Sequence, residues 1–292
     1  MPDIITYAIP GFVLLIMLEV FLSHRMQRDN YILADAVSSI SMGLGSQVIG
    51  IVTKVIVLFA FYLAYEYRVF TFGFGVGVWV AAFFLEDLTY YIFHRTSHGS
   101  RFFWASHVIH HSSQKYTLAT ALRQTWTGEL TGTFLFWVWM PLLGFHPIMI
   151  LTLKAVSLTY QFWIHTELIT KLPRWFEFVF NTPSHHRVHH SSDVKYLDMN
   201  HAGILIIWDR MFGTFKEEKE KPIYGIRENL HSHNLIKIAF HEWVAIGKDL
   251  RSKTSFSEKL KYVFGPPGWS HDGSRKTTVQ LKNDIHPRDH IM

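Results

Sequence analysis

Long apolar blocks dominate the first 165 residues. Residues 4–22 carry one charge, Glu19, and residues 37–65 carry one, Lys54. Residues 69–85 carry none, and the apolar pattern resumes after Glu86 and Asp87 as far as Phe93. A helix needs about 20 apolar residues to cross a bilayer, so these three runs predict transmembrane helices. A fourth run, 130–145, is short and contains Pro141. A fifth, from Ile148 to Ile164, is interrupted by Lys154. Together these two predict a helical hairpin turning at "GFHP", whose full crossing stays open. Beyond Thr166 the chain turns polar, with a charged stretch "KEEKEKP" (216–222) and a break at "GPPGW" (265–269). No repeats occur, and the residues after Trp269 read as a loosely ordered tail.

The first run does not read as a cleaved signal peptide, because it lacks a basic leader and a small-residue cleavage site. Lys and Arg set the expected orientation. With the N-terminus outside, Arg25 and Arg28 fall inside and the outer loops carry only Arg68. Residues 94–129 and everything after 165 are then cytoplasmic. The expected fold is all-α: about four transmembrane helices bearing a cytoplasmic, helical, histidine-rich cap. The 292 residues are 49% hydrophobic and contain no cysteine. Disulfides, thiolate nucleophiles and iron–sulfur ligands are thereby excluded. The net charge of +5 fits anionic lipid headgroups better than nucleic acid, for no basic helix or arm stands out.

Nineteen histidines change the picture. "HRTSH" places His94 and His98 at i, i+4; "HVIHH" places His107, His110 and His111 at i, i+3, i+4; "HRVHH" repeats that spacing with His186, His189 and His190. Such positions share a helix face, so their imidazoles can chelate one cation, and an adjacent pair can diverge toward two. One metal needs only three or four ligands, so eight histidines point to a dinuclear site. His165, closing the fifth run, is a candidate further ligand, with Gln161 one turn earlier to support it. Asp87, seven residues before His94, is a candidate carboxylate partner for a ligand imidazole, and His185 a candidate neighbour of the third cluster. His24, His146, His231, His233, His241, His271, His286 and His290 read as surface or capping residues, and His201 stays open.

All-nitrogen ligation suits zinc, copper, iron or nickel. Too many ligands are present for a closed structural zinc site. No HExxH string occurs, since His241–Glu242 is followed by Ala245 where a second histidine belongs. A lipid C–H bond requires a metal that reduces oxygen, which zinc does not. These arguments favour iron. The rival class is a membrane metal transporter or sensor, but the mid-span charges Lys54 and Lys154 lie outside the histidine clusters, whereas transporters place ligands near the midplane.

The segments "EDLTYYIFHRTSH", "FWASHVIHHSS", "QFWIHTE" and "NTPSHHRVHH", followed by "NHAGILIIWDRMFGTF", together resemble the integral-membrane fatty acid hydroxylase and sterol desaturase superfamily, nearest its alkylglycerol monooxygenase-like branch. The resemblance covers about residues 80–215. It implies a di-iron enzyme that uses O₂ and two electrons to hydroxylate or desaturate a lipid, or to cleave an ether by hydroxylation. It implies eight histidine ligands in the three boxes, His165 as a ninth, and Asp209 and Arg210 as residues that pin the third box. It divides the chain into membrane helices at 1–79, a di-iron domain at 80–215 and a polar cytoplasmic tail at 216–292. No cytochrome b5-like segment is seen, so electrons are expected from a separate partner: a cytochrome b5- or ferredoxin-type carrier, or tetrahydrobiopterin. The cytoplasmic membrane or the endoplasmic reticulum is the expected location.

Overall fold

The structure, a computed structural model, describes residues 4–285, so His286 and His290 lie outside it. Among the described residues the fold is entirely helical, apart from two isolated bridges between loops. Three helices are long and apolar enough to cross a membrane: α1 (Ile4–Arg25), α2 (Leu33–Glu66) and α3 (Val76–Gly99). Their outward faces are apolar, as with Leu44, Ile51 and Phe59 on α2, each more than half exposed. An apolar belt of this extent has no aqueous explanation and fits a bilayer.

The two shorter runs form helices shorter than the first three and pack against them. Residues 129–137 form two 3₁₀ turns that lead into α6 (Trp139–Leu143). After the "GFHP" corner, where the ring of His146 accepts from the backbone of Ile148, comes α7 (Pro147–Trp163). Its 17 residues reach about 25 Å at 1.5 Å per residue, short of a ~30 Å hydrocarbon core. This hairpin builds the largest core, with Trp137, Met140, Met149 and Ile150 against Phe61 and Ala82.

Buried polar ties lock the remaining pieces to the membrane-length helices. The carboxylate of Glu19 in α1 accepts from the backbone of Leu118 in α5 (Leu118–Ala121), from Thr166 and from Tyr31. Arg123, 1% exposed, donates to Ser112, Asp35, Ser38 and Ser39, joining α2 to the end of α4 (Arg101–His111). Short helices α8 (Arg174–Val179), α9 (Pro183–His189) and α10 (Ile207–Met211) complete the cap.

The C-terminal segment is more ordered than its polarity suggested. It carries α11 (Leu235–Leu250), α12 (Phe256–Phe264) and α13 (Thr278–Ile285). The last falls in the expected loose tail. A reciprocal cap starts it: the backbone of Gln280 donates to the Thr277 hydroxyl, and the backbone of Thr277 to the Gln280 side chain. Lys282 then ties it to the carbonyl of Leu197.

Helix α2 approaches residues 122–126 so closely that only glycine fits at Gly43, where a Cβ would lie 2.6 Å from the Leu122 carbonyl oxygen. Gly43→Ala forces the backbones apart, and a loss of about 1–3 kcal/mol is expected. A lowered midpoint of thermal unfolding in detergent tests this.

Candidate metal centre

The histidine clusters meet in space. Helix α3 delivers His94 and His98 from its last turns, α4 delivers His107, His110 and His111, and α9 with its C-cap delivers His186, His189 and His190. His165 arrives just beyond α7. The nine form two groups: His94, His98, His107, His111 and His189, and beside them His110, His165, His186 and His190. Within each, one ring nitrogen per residue lies within 4.8 Å of all the others. The groups share walls, because sequence neighbours His110 and His111 point to different groups, as do His189 and His190. Seven rings are buried, and His107 and His110 are partly exposed.

The hydrogen bonds fix the tautomers. Nδ1 of His94 lies 2.7 Å from the carbonyl of His201, that of His165 2.7 Å from the carbonyl of Gln161, and that of His189 3.0 Å from the carbonyl of Met199. A carbonyl only accepts, so each Nδ1 carries the proton and each Nε2 presents a lone pair. His165 Nε2 faces His110 Nε2 at 3.1 Å and His186 Nε2 at 3.0 Å. His107 Nε2 likewise faces Nε2 of His94 at 2.9 Å and of His111 at 3.0 Å. At this spacing either a proton on one ring or a metal ion must lie between the facing nitrogens. Nε2 of His98 and of His189 are buried with no hydrogen-bond partner, which a metal would satisfy. The residues therefore fit two metal ions. Burial, and secondarily the neighbouring imidazoles, holds His107, His111, His165, His186, His189 and His190 well below the ordinary histidine value, and takes His110 to about 4. Neutral imidazole is the ligating form.

The supporting residues differ in part from expectation. Asp87 touches no imidazole. Its carboxylate accepts from the backbone of Ile204 and Leu205 and from the Trp208 indole, at 2.9, 3.1 and 2.9 Å. A loop with unpaired buried N–H groups offers three donors, and the carboxylate goes to them. Gln161 supports His165 through its carbonyl, while its side chain accepts from the Tyr90 hydroxyl and donates to Ser157. His185 lies outside both groups, against Phe215 and the Thr182 hydroxyl. Asp209 receives the backbone N–H groups of His201 and Ala202, and so fixes the carbonyl that orients His94. Arg210 donates to the carbonyls of Glu177 and Phe178.

Of two further neighbours of the centre, Asp198 escapes the sequence reading and His201 is left open by it. Asp198 sets a carboxylate oxygen 3.2 Å from Nδ1 of His98, the role assigned in advance to Asp87. His201 is buried, with its ring 5.0 Å from that of His98 and 5.6 Å from that of His189. Both sit in a loop where Asp198 and Asn200 adopt left-handed conformations, φ 53° and 57°. The run "DMNH", rich in residues that tolerate that region, was the available signal.

A helical bundle with membrane-length helices, capped by a double polyhistidine centre, is thus the class defined by fold and site. Comparison with known proteins makes it specific: residues 79–214 match the fatty acid hydroxylase family and form a domain of that family. Over 97% of its length the chain is 37% identical to an alkylglycerol monooxygenase of Homo sapiens and 35% identical to one of Xenopus tropicalis. It spans 63% of the length of each of these relatives. An ornithine lipid hydroxylase of Rhizobium tropici, OlsE, is 28% identical over 131 residues, 45% of this chain and 39% of that protein. No solved structure matches.

Replacing Asp198 by Asn removes the charge behind His98, and a ~10–100-fold loss of metal affinity in the five-histidine group is expected, read by competition with a chromophoric chelator. The metal-free protein should lose stability as pH falls below about 6.5. The unfolded chain then binds protons that the native imidazoles, with depressed pKa values, refuse. His110 alone contributes down to about pH 4, with a slope of about 1.4 kcal/mol per pH unit at most. Chemical unfolding of metal-stripped protein at pH 5.0 and 7.5 measures it.

Proposed function

We propose that this protein is an O₂-dependent lipid monooxygenase with two iron ions, acting on an ether lipid of the alkylglycerol type. The observation that carries the reading is the pair of all-imidazole groups, side by side at the end of membrane-length helices. The names of the relatives, an alkylglycerol monooxygenase and an ornithine lipid hydroxylase, support oxidation of a lipid. His94, His98, His107, His111 and His189 would hold one ion, and His110, His165, His186 and His190 the other. When bound, iron supplies the capacity to bind and reduce O₂ that an unactivated C–H bond demands.

The chain's own residues do the rest. Carbonyls of His201, Gln161 and Met199 and the Asp198 carboxylate hold Nδ1 of four rings and so aim their Nε2 atoms into the centre. Burial excludes water from most of the centre, and the partly exposed His107 and His110 mark its accessible side. Aromatic rings border it: Tyr90 lies 5.3 Å from His94, and Trp104 lies 5.0 Å from His98 and 5.5 Å from His111. They offer an apolar wall to an alkyl chain. A polar cavity of about 780 Å³ lies elsewhere, lined by Arg28, Glu167, Arg187, Glu218 and Tyr224 and by none of the nine histidines. Hydroxylation of the carbon beside an ether oxygen gives a hemiacetal, which breaks into an alcohol and an aldehyde. Two electrons come from a separate donor, either a protein carrier or a reduced pterin. The histidine groups face the cytoplasm in this reading. Transport fits less well, because the ligands lie at helix ends and beyond rather than at the bilayer midplane.

Incubation of the expressed protein with alkylglycerol-containing membranes, reductant and ¹⁸O₂ should place label in the aldehyde, trapped at once by reduction, and none in the glycerol-side alcohol. His107→Ala should lower that product by more than about 100-fold. Mass spectrometry of the products decides, and absence of a His107-dependent product contradicts the reading.

A further inference from the structure

Helices α11 and α12 each leave an apolar stripe uncovered. On α11 it is Ile236, Phe240 and Val244, and on α12 Phe256, Leu260 and Phe264, each set spaced i, i+4, i+8 and exposed. That spacing makes one continuous face per helix. Between and beside the stripes lie the exposed cations Lys237, Lys248, Arg251, Lys253 and Lys261. Two of the three acidic residues of the same segment are turned inward. Glu242 and Asp249 both bind the buried Arg101 of α4, at 2.6 Å each, and Glu258 closes the cap on Ser255. What the segment shows outward is therefore apolar and positive.

The segment also lies beside the membrane-length helices. Ile238 and Ala239 of α11 bury themselves against Met42, ten residues into α2, and Ile109 of α4. Phe240 contacts Trp126, whose indole donates to the carbonyl of Met42. Nearby on α2, Leu33, Val37 and Leu44 are exposed to what must be lipid or its boundary. The α11 stripe thus flanks the contact of α11 with α2, reaching it through Trp126.

We propose that α11 and α12 lie in the headgroup layer of an anionic leaflet, with their stripes dipped into the acyl boundary and their cations on lipid phosphates. An amphipathic helix with aromatic and aliphatic residues on one face and lysines beside it has the composition that binds there. The placement bears on the site. Arg101 and Phe102 begin α4, the helix that carries three histidines, and Phe102 packs on Trp243 of α11 and Phe264 of α12 at 5.4 and 5.6 Å. The two helices hold α4 at the lipid boundary, where an amphiphile need travel little to reach the centre.

The chain has no cysteine, so single spin labels can be introduced cleanly. Full-length Val244→Cys, Phe256→Cys and, as a bilayer reference on α2, Phe59→Cys would be labelled and placed in nanodiscs of neutral or of 30% anionic phospholipid. Accessibility to O₂ against a nickel chelate gives depth. The expected result is that the labels at 244 and 256 favour O₂ severalfold in anionic discs. Adding Lys248→Gln, Arg251→Gln and Lys253→Gln should move them toward water in those discs. Labels at 244 and 256 that remain open to nickel while that at 59 is protected would overturn the proposal, and would leave these stripes to a protein partner. If 59 is also open to nickel, the transmembrane reading itself fails, and the lipid oxygenase reading with it.

Discussion

Everything in this fold answers to one electrostatic constraint. Nine imidazoles are brought together in two groups, and burial holds His107, His110, His111, His165, His186, His189 and His190 in the neutral form. Three carbonyls and one carboxylate hold Nδ1 of four rings, so their Nε2 atoms present lone pairs to the centre, where a metal ion would meet them. Metal ions bound to these neutral imidazoles would relieve the crowding, and would couple folding of the cap to metal loading.

The elements outside the centre are arranged to hold that geometry. Arg187, in α9, donates through its guanidinium to the carbonyls of Thr166, Ile169 and Thr170 and pairs with Glu218. It thereby joins the helix of His186 to the turn that follows His165. Glu19 reaches the same turn from α1, Arg123 anchors the end of α4 to α2, and Asp87 anchors the 204–208 loop to α3. Each tie buries a charge, but each charge is met by several hydrogen bonds, which is the condition under which such burial is tolerated. The membrane-length helices act as the frame, and the polar cap is braced on their ends.

How much of this the chain announced depends on how local each feature is. The spacings 94/98, 107/110/111 and 186/189/190 are helical geometry, and helical geometry is local, so ligand-like faces were legible. So were the three long apolar helices. The partition into two groups was not, because it depends on how α3, α4 and α9 cross. Asp87 looked like an imidazole partner because a buried acid near a membrane needs one. A loop over a hundred residues later supplied backbone donors instead. Asp198 took the imidazole role from a left-handed turn that no periodicity marks. Helix α13 was hidden by its polarity, and only the Thr277–Gln280 cap hinted at it.

Counting the metals tests the central claim most directly. Protein produced with ample iron and purified without oxygen should contain two iron ions per chain, with a Mössbauer spectrum of two nitrogen-rich sites. His111→Ala should weaken one site and His190→Ala the other. A single metal per chain, or two whose binding survives both substitutions, would contradict the account.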